Sequence, residues 1–206
     1  QAGLAALDRD LGAPVHRESV AAPTGPEALL VYHRPAGAVK DLCLRLEEQA
    51  PVGRLYDLDV LSPGGEKLSR PQARRCLICG GPVTVCSRSR AHGLAAIQAK
   101  TEDILWSFAA GHLAQLARQA LEDEVCLTPK PGLVDRRNTG AHDDMDLPLF
   151  HRSAAALEPY FCRFVSLGMA GASPAELQAL GREAEHAMLT ATGGVNTHKG
   201  ALYSFT

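Results

Sequence analysis

Four of five consecutive positions, His142, Asp143, Asp144 and Asp146, set one imidazole among three carboxylates. Carboxylates so close repel one another unless a cation neutralises them. Mg²⁺ bridging a polyphosphate would do so and leave the imidazole free to move a proton. The competing reading is an acidic turn capping the helix that follows, since Asp is favourable at a helix N-terminus in its own right. Upstream, Lys130 stands between Pro129 and Pro131 and offers a point charge to a phosphate, with the polar Asp135 and Asn138 close behind. Downstream, Gly193 and Gly194 give backbone amides close access to an anion, and Asn196, Thr197, His198 and Lys199 add donors. The glycines suit a helix stop equally well, and His198 suits an ordinary hydrogen-bonded helix end.

A second constellation lies earlier in the chain. In Gly53-Arg54-Leu55-Tyr56-Asp57-Leu58-Asp59-Val60, an extended backbone puts Asp57 and Asp59 on one face and the apolar residues on the other. Two carboxylates on one strand face suit a hard cation shared with substrate phosphates, and the alternative is a solvated acidic face. Arg70, Arg74, Arg75, Arg88 and Arg90 then concentrate guanidinium groups, which match phosphate oxygens in pairs or form a solvated basic face. Among them Cys76, Cys79, Cys86 and His92 spell a Cys₃His set with a two-residue knuckle between the first pair, suited to structural Zn²⁺. Buried or free thiols in a reducing compartment are the alternative.

Around these groups the pattern is α+β first and all-helical afterwards. Leu29–His33 reads as a strand, 37–50 as an amphipathic helix and Arg54–Leu61 as a second strand. From about Ala95, apolar residues recur at three and four. They predict one or two helices with Gly111 as a weak point, ended by Pro129 and Pro131. A helix over Leu149–Met169 is expected to kink or split at Pro159, and another starts at Ser173, where Ser173 and Glu176 form a capping-box pattern. The division is placed between Gly93 and Lys100, giving domains 1–94 and 95–206.

The chain has 206 residues and a net charge of -2, so it can bury a core and has no global drive towards nucleic acid or membrane. Its start lacks both an initiator Met and a long apolar stretch, so no signal peptide or membrane span is read there. The apolar run through Phe205 breaks off abruptly, and the chain reads as a piece of something longer. Six cysteines without a secretion signal point to a reducing cytoplasm. A function of another class remains open, a zinc-stabilised module that binds nucleic acid or a protein without catalysis.

GRLYDLDV with RRCLICGGPVTVCSRSRAH resembles the C-terminal half of the apo-citrate lyase phosphoribosyl-dephospho-CoA transferases, from about Thr24 to His92. The resemblance implies a nucleotidyltransferase-like fold, Asp57 and Asp59 as metal-binding carboxylates, and phosphate-binding Arg54, Arg75, Arg88 and Arg90. LTPKPGLVD, NTGAHDDMD and TGGVNTHKGA are similar to the triphosphoribosyl-dephospho-CoA synthases, including a relative in malonate decarboxylase maturation, over the N-terminal part of that helical domain. From this follows an expected reaction of ATP with 3'-dephospho-CoA that releases adenine, and then transfer of the product to the acyl carrier protein of citrate lyase. The implied sites are Asp143 and Asp144 for Mg²⁺ together with Asp146, which also counts as catalytic. Lys130, Asp135, Asn138, Asn196 and Lys199 would hold substrate, and His142 or His198 would be the general base.

Overall fold

A computed structural model describes residues 2–23 and 25–204, so Phe205, the last residue of the expected apolar run, lies outside the described residues. The chain divides into two compact units, Gln1–Leu105 and Trp106–Thr206.

In the first unit, α1 (Ala2–Leu11) precedes an antiparallel hairpin of β1 (His16–Ala22) and β2 (Gly25–Val31), in which His16 pairs with Val31 and Ala22 with Gly25. Then α2 (Ala36–Gln49) buries Leu42, Cys43 and Leu46 against Ala6 and Leu7 of α1 and Val60. The 37–50 helix is thus observed. The strand expected at Leu29–His33 is the second arm of a hairpin whose first arm carries no strong apolar alternation.

The strand expected over Arg54–Leu61 does not form. Pro51–Leu55 is a 3₁₀ turn, followed by extended chain with no ladder partner until Leu61 bridges Lys67. The turn passes so close under α2 that a Cβ on Gly53 would lie 2.1 Å from the Leu46 carbonyl oxygen. Alternation survives without the sheet: Leu58 and Val60 join the core, and Asp57 and Asp59 face out. A short helix, α3 (Val83–Ser89), follows and buries none of its residues.

Helix α4 (Leu94–Cys126) runs unbroken through Gly111. A Cβ there would meet nothing, and one mid-helix glycine costs only about 1 kcal/mol. The second unit packs Ala114 and Ala117 of α4 against Leu157 and Phe161 of α5 (Leu147–Met169), Leu180, Ala184 and Met188 of α6 (Pro174–Ala191), and Leu202 of α7 (Ala201–Ser204). Helix α5 also stays continuous, because Pro159 lies on its exposed side, where water can meet the freed carbonyl. The capping box at Ser173 and Glu176 forms in full. The architecture is therefore α+β followed by all-α.

Candidate active site and candidate metal centre

The loop after α4 is built around one carboxylate. Asp135 is buried, and its two oxygens accept from the backbone N–H groups of Arg137 at 2.7 Å, Asn138 at 3.1 Å and Lys130 at 3.1 Å. The Arg137 amide leads these bonds in holding the carboxyl below its usual value. The Asn138 side chain accepts from the Gly140 amide at 2.8 Å, and Gly140, at φ +63°, leaves no room for a Cβ against Gly132. Both oxygens of Asp135 and the side-chain oxygen of Asn138, two residues expected at the substrate, are thus spent on the loop itself. Lys130 turns back to Glu124 of α4 at 2.9 Å.

The loop delivers His142, Asp143, Asp144 and Asp146 to an open cleft of about 490 Å³, shared with Thr139, Leu149 and Arg152. Asp146 caps α5, accepting from the Leu149 amide at 2.8 Å, so the capping alternative holds for this one acid while its other oxygen stays unbonded among the described residues. His142 Nδ1 lies 3.9 Å from Asp144. Arg152, which sequence periodicity does not single out, adds a guanidinium-bearing side chain to the lining of the cleft.

One turn along α5, Ser153 is fully buried and links Thr197, whose hydroxyl donates to it at 2.6 Å, with Nδ1 of His198 at 2.7 Å. The imidazole packs edge-on against Phe150 at 5.1 Å, and its backbone N–H meets the Met188 sulfur at 3.2 Å. Burial holds His198 below the ordinary imidazole value, and its Nε2 is buried with no hydrogen-bond partner. Ser153 carries no motif of its own. Its only signal is a hydroxyl in the apolar stripe formed with Leu149 and Leu157. The glycines before His198 do not offer a free anion cradle. Gly194 donates to the Leu189 carbonyl at 2.7 Å and closes α6, which is the helix-stop alternative. Asn196 accepts from the Lys199 amide, and the Lys199 side chain is exposed.

In the first unit Asp57 is 91% exposed and Asp59 48%, and Asp59 accepts from Lys67 at 2.6 Å. Arg70 and Arg74 leave the basic cluster, because both bond the carboxylate of Glu47, which is only 3% exposed and also accepts from the Leu58 amide. This buried network was not legible in sequence, where Glu47 is one more acid in a helix. Arg54 donates to the Arg75 carbonyl, and Arg75, Arg88 and Arg90 remain exposed without an acidic partner among the described residues.

Cys76, Cys79, Cys86 and His92 do converge, their ligand atoms lying within 4.8 Å of one another, a set able to hold a metal ion. Among the described residues this is the one group of three or more such side chains that gathers so closely, and the aspartates of the two constellations do not. The amide of Cys79, then that of Ile78, draws the Cys76 thiol down to about 6. Hydrogen bonding with Cys79 pushes Cys86 up to about 11.

Residues 2–108 match the family model of apo-citrate lyase phosphoribosyl-dephospho-CoA transferase, and residues 110–206 that of ATP:dephospho-CoA triphosphoribosyl transferase. A Haemophilus influenzae protein named protein CitXG is 42% identical over 193 residues, covering 88% of this chain and 42% of the relative. A Leuconostoc mesenteroides protein of the same name is 36% identical over 202 residues, covering 88% and 43%. A Pseudomonas putida probable 2-(5''-triphosphoribosyl)-3'-dephosphocoenzyme-A synthase is 52% identical over 100 residues, covering 46% and 36%. The chain spans less than half the length of these relatives. Just over half of the chain matches the first model, and residues 110–206 are similar to the second family: the chain belongs to the apo-citrate lyase phosphoribosyl-dephospho-CoA transferase family.

Proposed function

We propose that this chain contributes to making the citrate lyase prosthetic group and to attaching it to the acyl carrier protein. The observation that carries the synthase part is the cleft at the start of α5, where His142, three aspartates and Arg152 meet one turn from the Ser153–His198 pair. In the reaction, an oxygen of the dephospho-CoA ribose 2'-hydroxyl bonds to C1 of the ATP ribose. The bond from C1 to adenine breaks, the hydroxyl proton passes to a base, and adenine leaves carrying a proton. Positive charge gathers on the ribose while the triphosphate must stay still.

Asp143 and Asp144 would hold Mg²⁺ on the triphosphate, with Lys199, Asn196, Arg152 and Lys130 around it and Asp146 near the sugar. Thr197 donates to Ser153, and the Ser153 hydroxyl would in turn donate to Nδ1 of His198, which would leave the proton of the neutral ring on Nε2. In that tautomer the Nε2 proton is buried, so His198 would act by positioning Ser153 and Thr197 beside the cleft, and the general-base role would fall to His142, which lines it.

In the transferase part, a serine hydroxyl of the carrier protein would attack the phosphorus next to the ribose and pyrophosphate would leave. Asp57 and Asp59 would hold the cation there, on a nucleotidyltransferase-like frame, with Arg54, Arg75, Arg88 and Arg90 on the phosphates. Two kinds of cation enter this reading, Mg²⁺ at the carboxylates and a softer ion of the zinc kind at the thiolates. The domain junction near α4 and a cytoplasmic setting, where ATP and reduced thiols coexist, belong to the same proposal.

The test uses the full-length protein with ATP, Mg²⁺ and dephospho-CoA, following free adenine by chromatography. His142→Ala should abolish its release. Unchanged turnover would remove His142 from the reaction, and no release from the unaltered protein would remove the synthase reading.

A further inference from the structure

We infer that Cys76, Cys79, Cys86 and His92 form a closed four-coordinate zinc site whose task is to hold the arginine-bearing segment 75–92 in its fold. Zn–S bonds of about 2.3 Å in a tetrahedron place ligand atoms roughly 3.8 Å apart. The four ligand atoms already lie within 4.8 Å of one another, with Cys79 and Cys86 sulfurs 3.5 Å apart. Little movement is needed to close on an ion.

The backbone is shaped for this. Cys76 and Gly81 pair, Gly80 turns at φ +70° and donates back to the Cys76 carbonyl at 3.0 Å, and the amides of Ile78 and Cys79 point at the Cys76 sulfur. Helix α3 then presents Cys86. Arg90, in a left-handed conformation, stops that helix and lets the Ala91 amide return to the Cys86 carbonyl, which brings His92 round to the three sulfurs. The His92 Nε2 is buried without a hydrogen-bond partner, a cost that metal ligation by the ring would explain.

An independent reason comes from packing. Between Arg70 and Gly93 the only buried residue is Cys76, and α3 buries nothing. Ordering this segment costs backbone entropy, which one buried cysteine and the half-buried Leu77, Ile78 and Val83 offset only in part. A bound ion would offset the rest, because folding and binding are then one event. Thiolates select a soft or borderline ion over Mg²⁺, and four protein ligands leave no open position for a substrate or water. The site is therefore structural. Metal loading depends on nothing in the proposed reaction, whereas the phosphate grip of Arg75, Arg88 and Arg90 rests on the transferase reading.

The test is metal analysis of the full-length protein purified under reducing conditions, followed by chelation and titration with Co²⁺. One zinc per chain and the absorption of tetrahedral, thiolate-bound Co²⁺ are expected. Cys86→Ala should lose the bound metal, and His92→Cys, which keeps four ligands, should retain it. Two results would overturn the inference: no bound zinc together with no thiolate–Co²⁺ absorption in the unaltered protein, or full zinc retention in Cys86→Ala. Zinc present in a protein that releases no adenine and transfers nothing would support the site and remove the reaction.

Discussion

Ser153 is where one atom changes the chemistry on offer. With its hydroxyl between Thr197 and His198, it holds Nδ1 of the ring in place. Ser153→Ala leaves two half-buried partners unmet and should lower stability by about 1–3 kcal/mol. A purely structural role would stop there, whereas a positioning role also changes the ¹⁵N shifts that report which ring nitrogen of His198 carries the proton. Burial also gives His198 a pH signature. Its folded value lies below 6.5, so on acidification the unfolded chain takes up a proton that the folded chain refuses. Stability from this source is whole above about pH 6.5 and falls as the pH drops through the depressed value. Urea midpoints measured across that window should fall less in His198→Gln than in the unaltered protein. Glu47 is the other decisive residue. Glu47→Ala strands Arg70 and Arg74, and a loss of about 3 kcal/mol is expected in denaturant titration. That is the low end for a buried pair, because the arginines keep 20% and 28% of their side chains exposed.

At the scale of elements, the junction between α2 and the 3₁₀ turn depends on Gly53. A methyl group there collides with backbone at Leu46, which cannot swing away as a side chain would, so Gly53→Ala should cost about 2–3 kcal/mol by thermal or chemical denaturation. The motif around this glycine was legible as an extended run with alternating faces. Its failure to become a strand was not, since a strand needs a neighbour and only the folded chain shows that none of the described residues pairs with it before the Leu61–Lys67 bridge. The start of α6 was fully legible, because capping chemistry is local. Ser173→Ala should cost about 1 kcal/mol. The serine also holds Glu176 below the ordinary value of 4.5, so this support is complete above that pH and fades as the pH falls through the depressed value. Circular dichroism of α6 variants at falling pH would show the difference closing.

For the whole molecule, no helix among the described residues is long and apolar enough to cross a membrane. The two compact units have separate cores, one around α1 and α2 and one around α4 to α7. Removal of the proposed zinc should therefore raise amide hydrogen exchange across residues 75–92 while α5 and α6 stay protected. Equal loss of protection in both units would show that the metal supports more than its own segment.

Sequence alone determined what depends on near neighbours and residue type: the change from mixed to helical character, the amphipathic helices, the capping box, the Cys₃His spacing and the motifs that carry the family resemblance. Tertiary structure decided what depends on distant partners. It turned Arg70 and Arg74 inward to Glu47, spent Asp135 on its own loop, left Asp59 with Lys67 and put Ser153 under His198. A polar side chain declares its chemistry by type, but its task is set by whichever group across the fold takes its hydrogen bonds, and that choice is made only when the core closes.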